Sequence, residues 1–510
     1  MNDGPVQPGL FAAIATAVGA RADNVVLEAG SQQLTGAALL AEVGRFATAL
    51  ASLGVAPGMR VVVQAEKSLS QVLVYLACLR QGAVYVPLNP AYRTDEVAYF
   101  LNDAEPSLVI ADPSRASETR LLGQAIGARV LTLDAAGGGT LADTVHGASG
   151  NAQPATVNDE DLAVIIYTSG TTGRSKGAML THANLVANAL ALNVTWGIDE
   201  RDVLLHALPL FHIHGLFVAL NTLLLAGGRV RLLRHFDPAA VIDGLARASV
   251  FMGVPTYYTR MLATGSLTRA RTGSVRLFVS GSAPLLPQTF AEFEAATGQR
   301  LVERYGMSEC GIITSSPVNG VRRPGFVGRP LPQVELQIVN DDRVPVATGA
   351  TGTIEVRGPH VCAGYWRKAA ESTPEFRPDG FFSTGDLGRL DADGYVQIVG
   401  RAKDMIISGG LNVYPKEIEM VLDALPGIVE SAVFGLPHAD YGEAVAAAVC
   451  VTPGAASLDA EALLKDTRVR LAGFKVPKVV FVVDALPRNA MGKVQKSELR
   501  ARYAHTFQDS

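Results

Sequence analysis

DLAVIIYTSGTTGRSKG, residues 161–177, joins a short apolar run to a loop of glycines, hydroxyls and a lysine. The run Ala163–Tyr167 is brief and rich in β-branched residues, which is the pattern of a strand buried on both faces. The loop behind it holds Thr168, Ser169, Gly170, Thr171, Thr172, Gly173 and Lys176. Glycines let backbone N–H groups converge on an anion, and the hydroxyls and ammonium add donors. Such a loop suits the phosphates of a nucleotide. Its spacing is not the GxxxxGK[ST] of a Walker loop. A plain flexible turn is the alternative, and so many donors directly after a buried strand speak against it.

Similar short apolar runs recur upstream and downstream: RVVVQA (60–65), AVYVPL (83–88), SLVIAD (107–112), GRVRLL (228–233) and RLFVSGS (276–282). Helical patterns lie between many of them, so parallel sheets covered by helices are expected. The Gly/Ala/Ser-rich stretch 134–156 reads as a surface excursion. After residue 325 strands shorten and turns crowd together, as in VELQIVNDD, GTIEVRGP and DGYVQIVGR, which predicts an antiparallel, barrel-like part over about 325–402. From 413 onward a new helix–strand pattern begins. GRAKDMIISGG (400–410) is charged and ends in glycines, a candidate hinge. The expected fold is α/β: a large N-terminal domain, 1–402, and a small C-terminal α/β domain, 403–510.

A chain of 510 residues exceeds what one core supports. With 44 basic and 48 acidic residues the net charge is −4, which points to neither nucleic acid nor a membrane surface as partner. The four cysteines are far apart and form no CxxC, so a reducing cytoplasm is expected. The opening MNDGPVQPGLFAAIATAVGARA imitates a signal peptide but lacks its basic start. Leu10, Phe11, Ile14 and Val18 instead share one helical face. No run of 18 apolar residues suggests a spanning helix.

Five motifs follow one another along the chain: YTSGTTGRSKG (167–177), YGMSE (305–309), STGD (383–386), GRAKD (400–404) and PRNAMGK (487–493). In order and spacing they resemble the adenylate-forming acyl-CoA synthetase superfamily over nearly the whole chain. Within it, HALPLFHIHGLFVA, VPTYYTRML, ERYGM and LPRNAMGKVQK look most like the malonyl-CoA synthetases. The resemblance implies two steps. A carboxylate attacks the α-phosphate of Mg-ATP to give an acyl-adenylate and pyrophosphate, and CoA then displaces AMP. It also implies a mobile C-terminal domain.

Residue by residue, the resemblance makes Lys493 the lysine between carboxylate and α-phosphate. Glu309 becomes the holder of Mg²⁺ together with Thr168. Asp386 and Arg401 become ribose contacts, and Tyr305 the adenine neighbour. Glu303, Gly306, Ser308 and Ser282 line the nucleotide site. Lys403 falls at the hinge, and Ser408, Gly409 and Gly410 approach CoA. His212 gates an acyl pocket with Ser280, Gly281, Ser282 and Met307. Lysine acetyltransferase and deacetylase acting on Lys493 are implied as regulators. Each of these residues has an ordinary structural alternative: a solvated charge for Lys493, Asp386 and Arg401, a helix-terminal acid for Glu309, a core aromatic for Tyr305. His206, His212 and His214 imitate a zinc cluster, but the site already has its cations. Cys310 reads as a small pocket or core residue.

Arg304 departs from the small residue found there in many relatives. A guanidinium suits bidentate binding of a carboxylate. The resemblance and this departure together imply a dicarboxylate, malonate first and methylmalonate second, with one end at Lys493 and the other at Arg304, assisted by Ser282 and Arg260. A salt bridge to the adjacent Glu303 is the alternative, and neighbouring side chains on a strand point apart. A ligase for another short acid, a carrier-loading module and a non-catalytic binder remain open readings.

Overall fold

The computed structural model describes residues 9–148, 153–168, 175–368, 374–408, 411–438, 441–452, 460–489 and 492–507. The apolar runs read from the sequence are strands: Arg60–Gln64, Val84–Pro87, Leu108–Ala111, Leu162–Thr168, Arg229–Leu232 and Leu277–Ser280. They divide between two sheets. In a six-stranded sheet Arg129–Thr132, Leu108–Ala111, Arg60–Gln64, Val84–Pro87 and Leu162–Thr168 run parallel, and Lys176–Thr181 pairs antiparallel at the edge. In a nine-stranded sheet the parallel run is Val302–Met307, Leu277–Ser280, Val250–Gly253, Val203–His206, Arg229–Leu232 and Val25–Ala29.

The sheets share one apolar core. Val61, Val63 and Tyr85 enter it from one sheet and Leu204, Val250 and Val279 from the other. Helix Leu69–Gln81 contributes Leu69, Val72, Leu73, Val74 and Leu76 to the same core. Its sequence is apolar nearly all round, which suits a helix covered on every side. Ser68 caps its start by accepting the N–H of Gln71 at 3.1 Å. The first helix, Leu10–Gly19, buries Leu10, Phe11, Ile14 and Val18, the stripe read from the sequence. On the outer face of the nine-stranded sheet, Phe278 and Phe293 meet edge to face at 5.0 Å between ring centres. Phe293→Ala would cost about 3–5 kcal/mol of stability.

The stretch 134–156 is more than an excursion. Thr140–His146 is a helix that buries Leu141 and Val145. Its two anchors lie four residues apart, and the flanking glycines conceal that spacing. Beyond residue 325, Glu335–Val339, Gly352–Arg357, Phe382–Leu390 and Val396–Arg401 form a four-stranded antiparallel sheet. A short 3₁₀ turn, Ala402–Asp404, leads into the C-terminal part. There the long hairpin Ile428–His438 and Gly442–Val451 is the centre of a five-stranded sheet flanked by helix Pro415–Asp423. That helix packs back against Val396–Arg401. Among the described residues no helix is long and apolar enough to cross a membrane.

Candidate active site

Parallel strands collect chemistry at their carboxyl ends, where side chains and loops emerge from the sheet. His206, Ser280 and the Arg304–Tyr305 pair all lie at or near such ends in the nine-stranded sheet, and Thr168 ends its strand in the six-stranded sheet. A large cavity lined by Trp196, Ser249 and Arg276 opens at the opposite edge, since Ser249 and Arg276 precede their strands.

Asp386 gathers the residues expected at the ribose. Arg401 Nε lies 3.0 Å from its Oδ1, and the Tyr305 hydroxyl donates to its Oδ2 at 2.6 Å. The Asp386 N–H donates to Thr384 Oγ1 at 3.1 Å. Each carboxylate oxygen accepts more than one hydrogen bond, so ribose hydroxyls can still donate to it. Tyr305 packs against the apolar cluster of the four-stranded sheet, as does Met307, and Cys310 is buried in that cluster. Burial pushes the Cys310 thiol well above its ordinary pKa, so it is an inert core residue.

Glu309 follows Ser308 in the turn after strand Val302–Met307. Thr168 and Tyr365 donate their hydroxyls to Glu309 Oε1 at 3.2 and 3.1 Å. Burial raises the Glu309 pKa against these bonds. Among the described residues no Lys or Arg forms an ion pair with it. Lys176 is turned elsewhere: its Nζ lies 2.8 Å from Glu375 Oε1 and over the Tyr365 ring. Its charge is therefore matched inside the protein. The loop residues Ser169, Gly170, Thr171, Thr172 and Gly173, and Gly409 and Gly410, lie outside the described residues.

Lys493 is carried back to this site from the C-terminal part. A Cβ on its neighbour Gly492 would lie 3.2 Å from Thr256 Oγ1. Burial first, then the charges of Arg401 and Lys403, lower the Lys493 pKa to about 8, against the pull of Asp386 and Asp404. The same ammonium is felt by His212. Lys403 is exposed in the 3₁₀ turn and Ser408 is buried in the strand after it.

The acyl side is built differently. Arg304 is only 4% exposed, and no described Asp or Glu pairs with it. Its Nη2 approaches Ser282 Oγ at 3.4 Å, and its Nε has no partner. Burial lowers its pKa to about 9, so it stays charged at neutral pH. A Cβ at Gly281 would fall 2.4 Å from the guanidinium, so only glycine leaves it room. Ser282, at φ +72°, holds a conformation unusual for a side-chain-bearing residue. Its Oγ lies 3.2 Å from His214 Nδ1. Burial and Arg304 keep His212 and His214 neutral, the former with a pKa of about 4. His214 Nε2 and Ser280 Oγ are buried without partners. Glu303 does not neutralise Arg304: its carboxylate accepts from the Leu285 backbone, and burial raises its pKa to about 8. Arg260 is exposed at the end of helix Pro255–Ala263, near Tyr257, and makes no recorded bond to this cluster.

Sequence reading missed Tyr365, Glu375 and Lys67. Tyr365 stands in the aromatic pair Tyr365–Trp366 and Glu375 in a loop, and only the fold brings them to Glu309 and Lys176. Lys67 meets His206 from the other sheet.

Comparison with known proteins gives the same outline. The model of the AMP-binding enzyme matches residues 14–366, and that of the AMP-binding enzyme C-terminal domain matches 417–493. A feruloyl-CoA synthase of Amycolatopsis sp is 36% identical over 93% of this chain and 95% of its own. A malonate–CoA ligase of Arabidopsis thaliana is 34% identical over 87% of this chain and 78% of its own. The ATP-bound crystal structure of MatB from Rhodopseudomonas palustris is 48% identical, covers 98% of this chain and 99% of that one, and superposes with a TM-score of 0.95.

Proposed function

The chain belongs to the AMP-binding enzyme family and is an ATP-dependent, AMP-forming acid–CoA ligase, and from that premise we propose that its acid is malonate. The observation that carries this reading is Arg304. A buried guanidinium with no carboxylate partner among the described residues, an unbonded Nε and neutral imidazoles beside it suits a ligand with a negative charge. An aromatic or aliphatic acid brings only the carboxylate that reacts. A short dicarboxylate brings a second.

Malonate places one carboxylate at Arg304 and Ser282, with His214 and Ser280 offering further polar atoms. The other carboxylate meets Lys493, which also faces the α-phosphate. The two reactants are anions, and Lys493 offsets their repulsion most where the new bond forms. Asp386 accepts the ribose hydroxyls while Arg401 and Tyr305 fix its orientation. Glu309 and Thr168 fit Mg²⁺: a buried carboxylate with a raised pKa, served by hydroxyls and no ion pair, gains most from a hard cation. Mg²⁺ there would offset charge on the phosphates. The docked C-terminal part covers the site and keeps water from the adenylate. Its rotation about Lys403 would withdraw Lys493 and admit CoA past Ser408.

The test is the ratio of kcat/KM for malonate to that for propionate, in the wild type and in Arg304→Met. Met keeps length and removes charge. Malonate should lose about 2–5 kcal/mol of transition-state stabilisation, a fall of roughly thirtyfold to several thousandfold. Propionate should lose far less. An unchanged ratio would remove the main support for a dicarboxylate.

A further inference from the structure

Lys67 is a buried lysine outside the set of residues assigned above to the acid, the nucleotide and CoA. It stands just beyond strand Arg60–Gln64, where the chain enters helix Leu69–Gln81, and is 6% exposed. No described carboxylate pairs with it. Its Nζ donates instead to two atoms of one residue in the other sheet, His206 Nδ1 at 2.8 Å and His206 O at 2.7 Å. The imidazole continues the chain of bonds: His206 Nε2 lies 2.8 Å from the carbonyl of Gly215. A carbonyl only accepts, so Nε2 carries the proton and Nδ1 offers its lone pair to Lys67. Burial and the lysine beside it keep this imidazole neutral.

Gly215 belongs to the segment that forms the acyl pocket wall. It lies in the π-helix His214–Asn221, a helical form found mostly at functional sites. The N–H groups of Gly215 and Leu216 both donate to His212 O, at 3.1 and 3.0 Å. His214 N–H donates to His212 Nδ1 at 3.3 Å, and His214 Nδ1 meets Ser282 Oγ. A Cβ on Gly215 would fall 2.0 Å from Pro209 O, so the turn closes tightly on itself. The carbonyl that His206 holds is thus flanked by the two histidines that face Arg304.

We propose that Lys67 is a positioning residue for the acyl pocket: it fixes His206, through it the Gly215 carbonyl, and so sets His212 and His214 against Ser282 and Arg304. The bond also ties the carboxyl ends of the two sheets together behind the pocket. Lys67 acts on the acid more than on the nucleotide: Asp386 and Arg401 stand on other elements, and Tyr305, although next to Arg304 in strand Val302–Met307, is held by Asp386 and by the apolar cluster of the four-stranded sheet. This rests on the reading of Arg304 and its neighbours as the acid-binding side.

Lys67→Met removes the donor and keeps the length. The expected result is a fall of about tenfold to a hundredfold in kcat/KM for the carboxylate, the effect of displacing reacting groups by about an ångström. KM for ATP should stay within about twofold. Ser282→Ala combined with Lys67→Met should lose less than the product of the two single losses, since both act on His214. Lys67→Gln, which still donates, should recover part of the loss. Equal loss for acid and ATP, strict multiplicativity in the double variant, or no recovery by Gln would each overturn the proposal. If the Met chain does not fold, Lys67→Gln alone must lower carboxylate kcat/KM by more than it raises KM for ATP, or the proposal fails. The acid used is whichever the wild type prefers in a panel of malonate, propionate and an aromatic acid. A wild type that prefers another acid defeats the malonate reading without touching the Lys67 result.

Discussion

The proposed ribose side and the proposed acyl side of this site hold the same kinds of group in opposite states. At Asp386 every charge is matched before a ligand arrives: Arg401 takes one oxygen and Tyr305 the other. At Arg304 a guanidinium like that of Arg401 is buried with a hydroxyl at 3.4 Å and, among the described residues, no counter-ion. The first arrangement is rigid and nearly neutral, and a nucleotide adds hydrogen bonds to it. The second carries an unmet electrostatic demand, which only a ligand of opposite charge satisfies. A general nucleotide site and a selective acid site therefore need no different residue types. They differ in whether the protein supplies the partner. Lys493 lies within reach of both, with its charge felt by His212 and its own pKa set partly by Asp386.

The largest effect that bears on this contrast is removal of the residue common to both sides. Lys493→Ala should lower adenylate formation from malonate and ATP by about a thousandfold, the upper range for losing one donor to developing charge. Thioester formation from presupplied malonyl-adenylate should stay within a few-fold, because the proposed rotation of the C-terminal part would take Lys493 out of that step. Pyrophosphate exchange measures the first half-reaction and CoA-dependent AMP release the second. Equal losses in both would mean that Lys493 serves the fold and not the first step.

Next comes the matched side. Asp386→Asn leaves Arg401 without its counter-charge and weakens the ribose contact. KM for ATP should rise about tenfold to a hundredfold, toward the lower end of what breaking a buried charge pair costs. The preference for malonate over propionate should not move, which is the opposite of the result expected for Arg304→Met. A shift in acid preference would show that the two sides are coupled through Lys493 and do not act separately.

These residues were not equally legible in the sequence. The helix Leu10–Gly19 and the buried strands were, because periodicity is a local property. Asp386, Arg401, Glu309 and Lys493 stood out only through five ordered motifs, since each alone reads as a surface charge. Arg304 was legible as a departure from the motif around it, and its burial explains why the departure matters. Lys67 was not: EKS after an apolar strand reads as solvated polar residues, and its partner His206 is 139 residues away. Lys176 was read as a phosphate ligand from its loop, and its pairing with Glu375 depends on a segment nearly 200 residues later. The helix Thr140–His146 was hidden because glycine-rich flanks outweigh two apolar residues in composition.

The pH profile tests Lys493 more gently than mutation. Its pKa is lowered to about 8, so the ammonium proposed to serve the first step is largely intact at neutral pH and is lost as pH rises through 8. In kcat/KM for adenylation, which reports the free enzyme, an alkaline limb should appear near pH 8 and fall about tenfold per unit. The groups that face Lys493 are Asp386, Asp404, Arg401 and Lys403, and bound anions join the acidic ones. They favour the ammonium, so the limb in kcat should lie at higher pH. A limb at the same pH in thioester formation from presupplied adenylate would assign the titration to another group.

The smallest effect expected is at Tyr305, and it makes the contrast sharpest because the change is a single oxygen. Tyr305→Phe removes the hydroxyl that donates to Asp386 Oδ2 at 2.6 Å and leaves the ring in its apolar cluster. A hydrogen bond to a charged group is worth about 1.5–3 kcal/mol, but Asp386 keeps Arg401, and a water or ribose hydroxyl can take the vacated lone pair. The net loss should therefore be near 1 kcal/mol, a rise of about fivefold in KM for ATP. On the acyl side the described residues offer no comparable compensation: none of their carboxylates pairs with Arg304. If matching is what separates the two sides, Tyr305→Phe, which removes one contact of a paired ion, must be mild, and Arg304→Met, which removes the unpaired ion that meets the acid, severe. A loss of a hundredfold or more at Tyr305 would show that the ribose side also depends on a single contact, and the distinction between a matched and an unmatched site would no longer explain which half of the pocket selects the substrate.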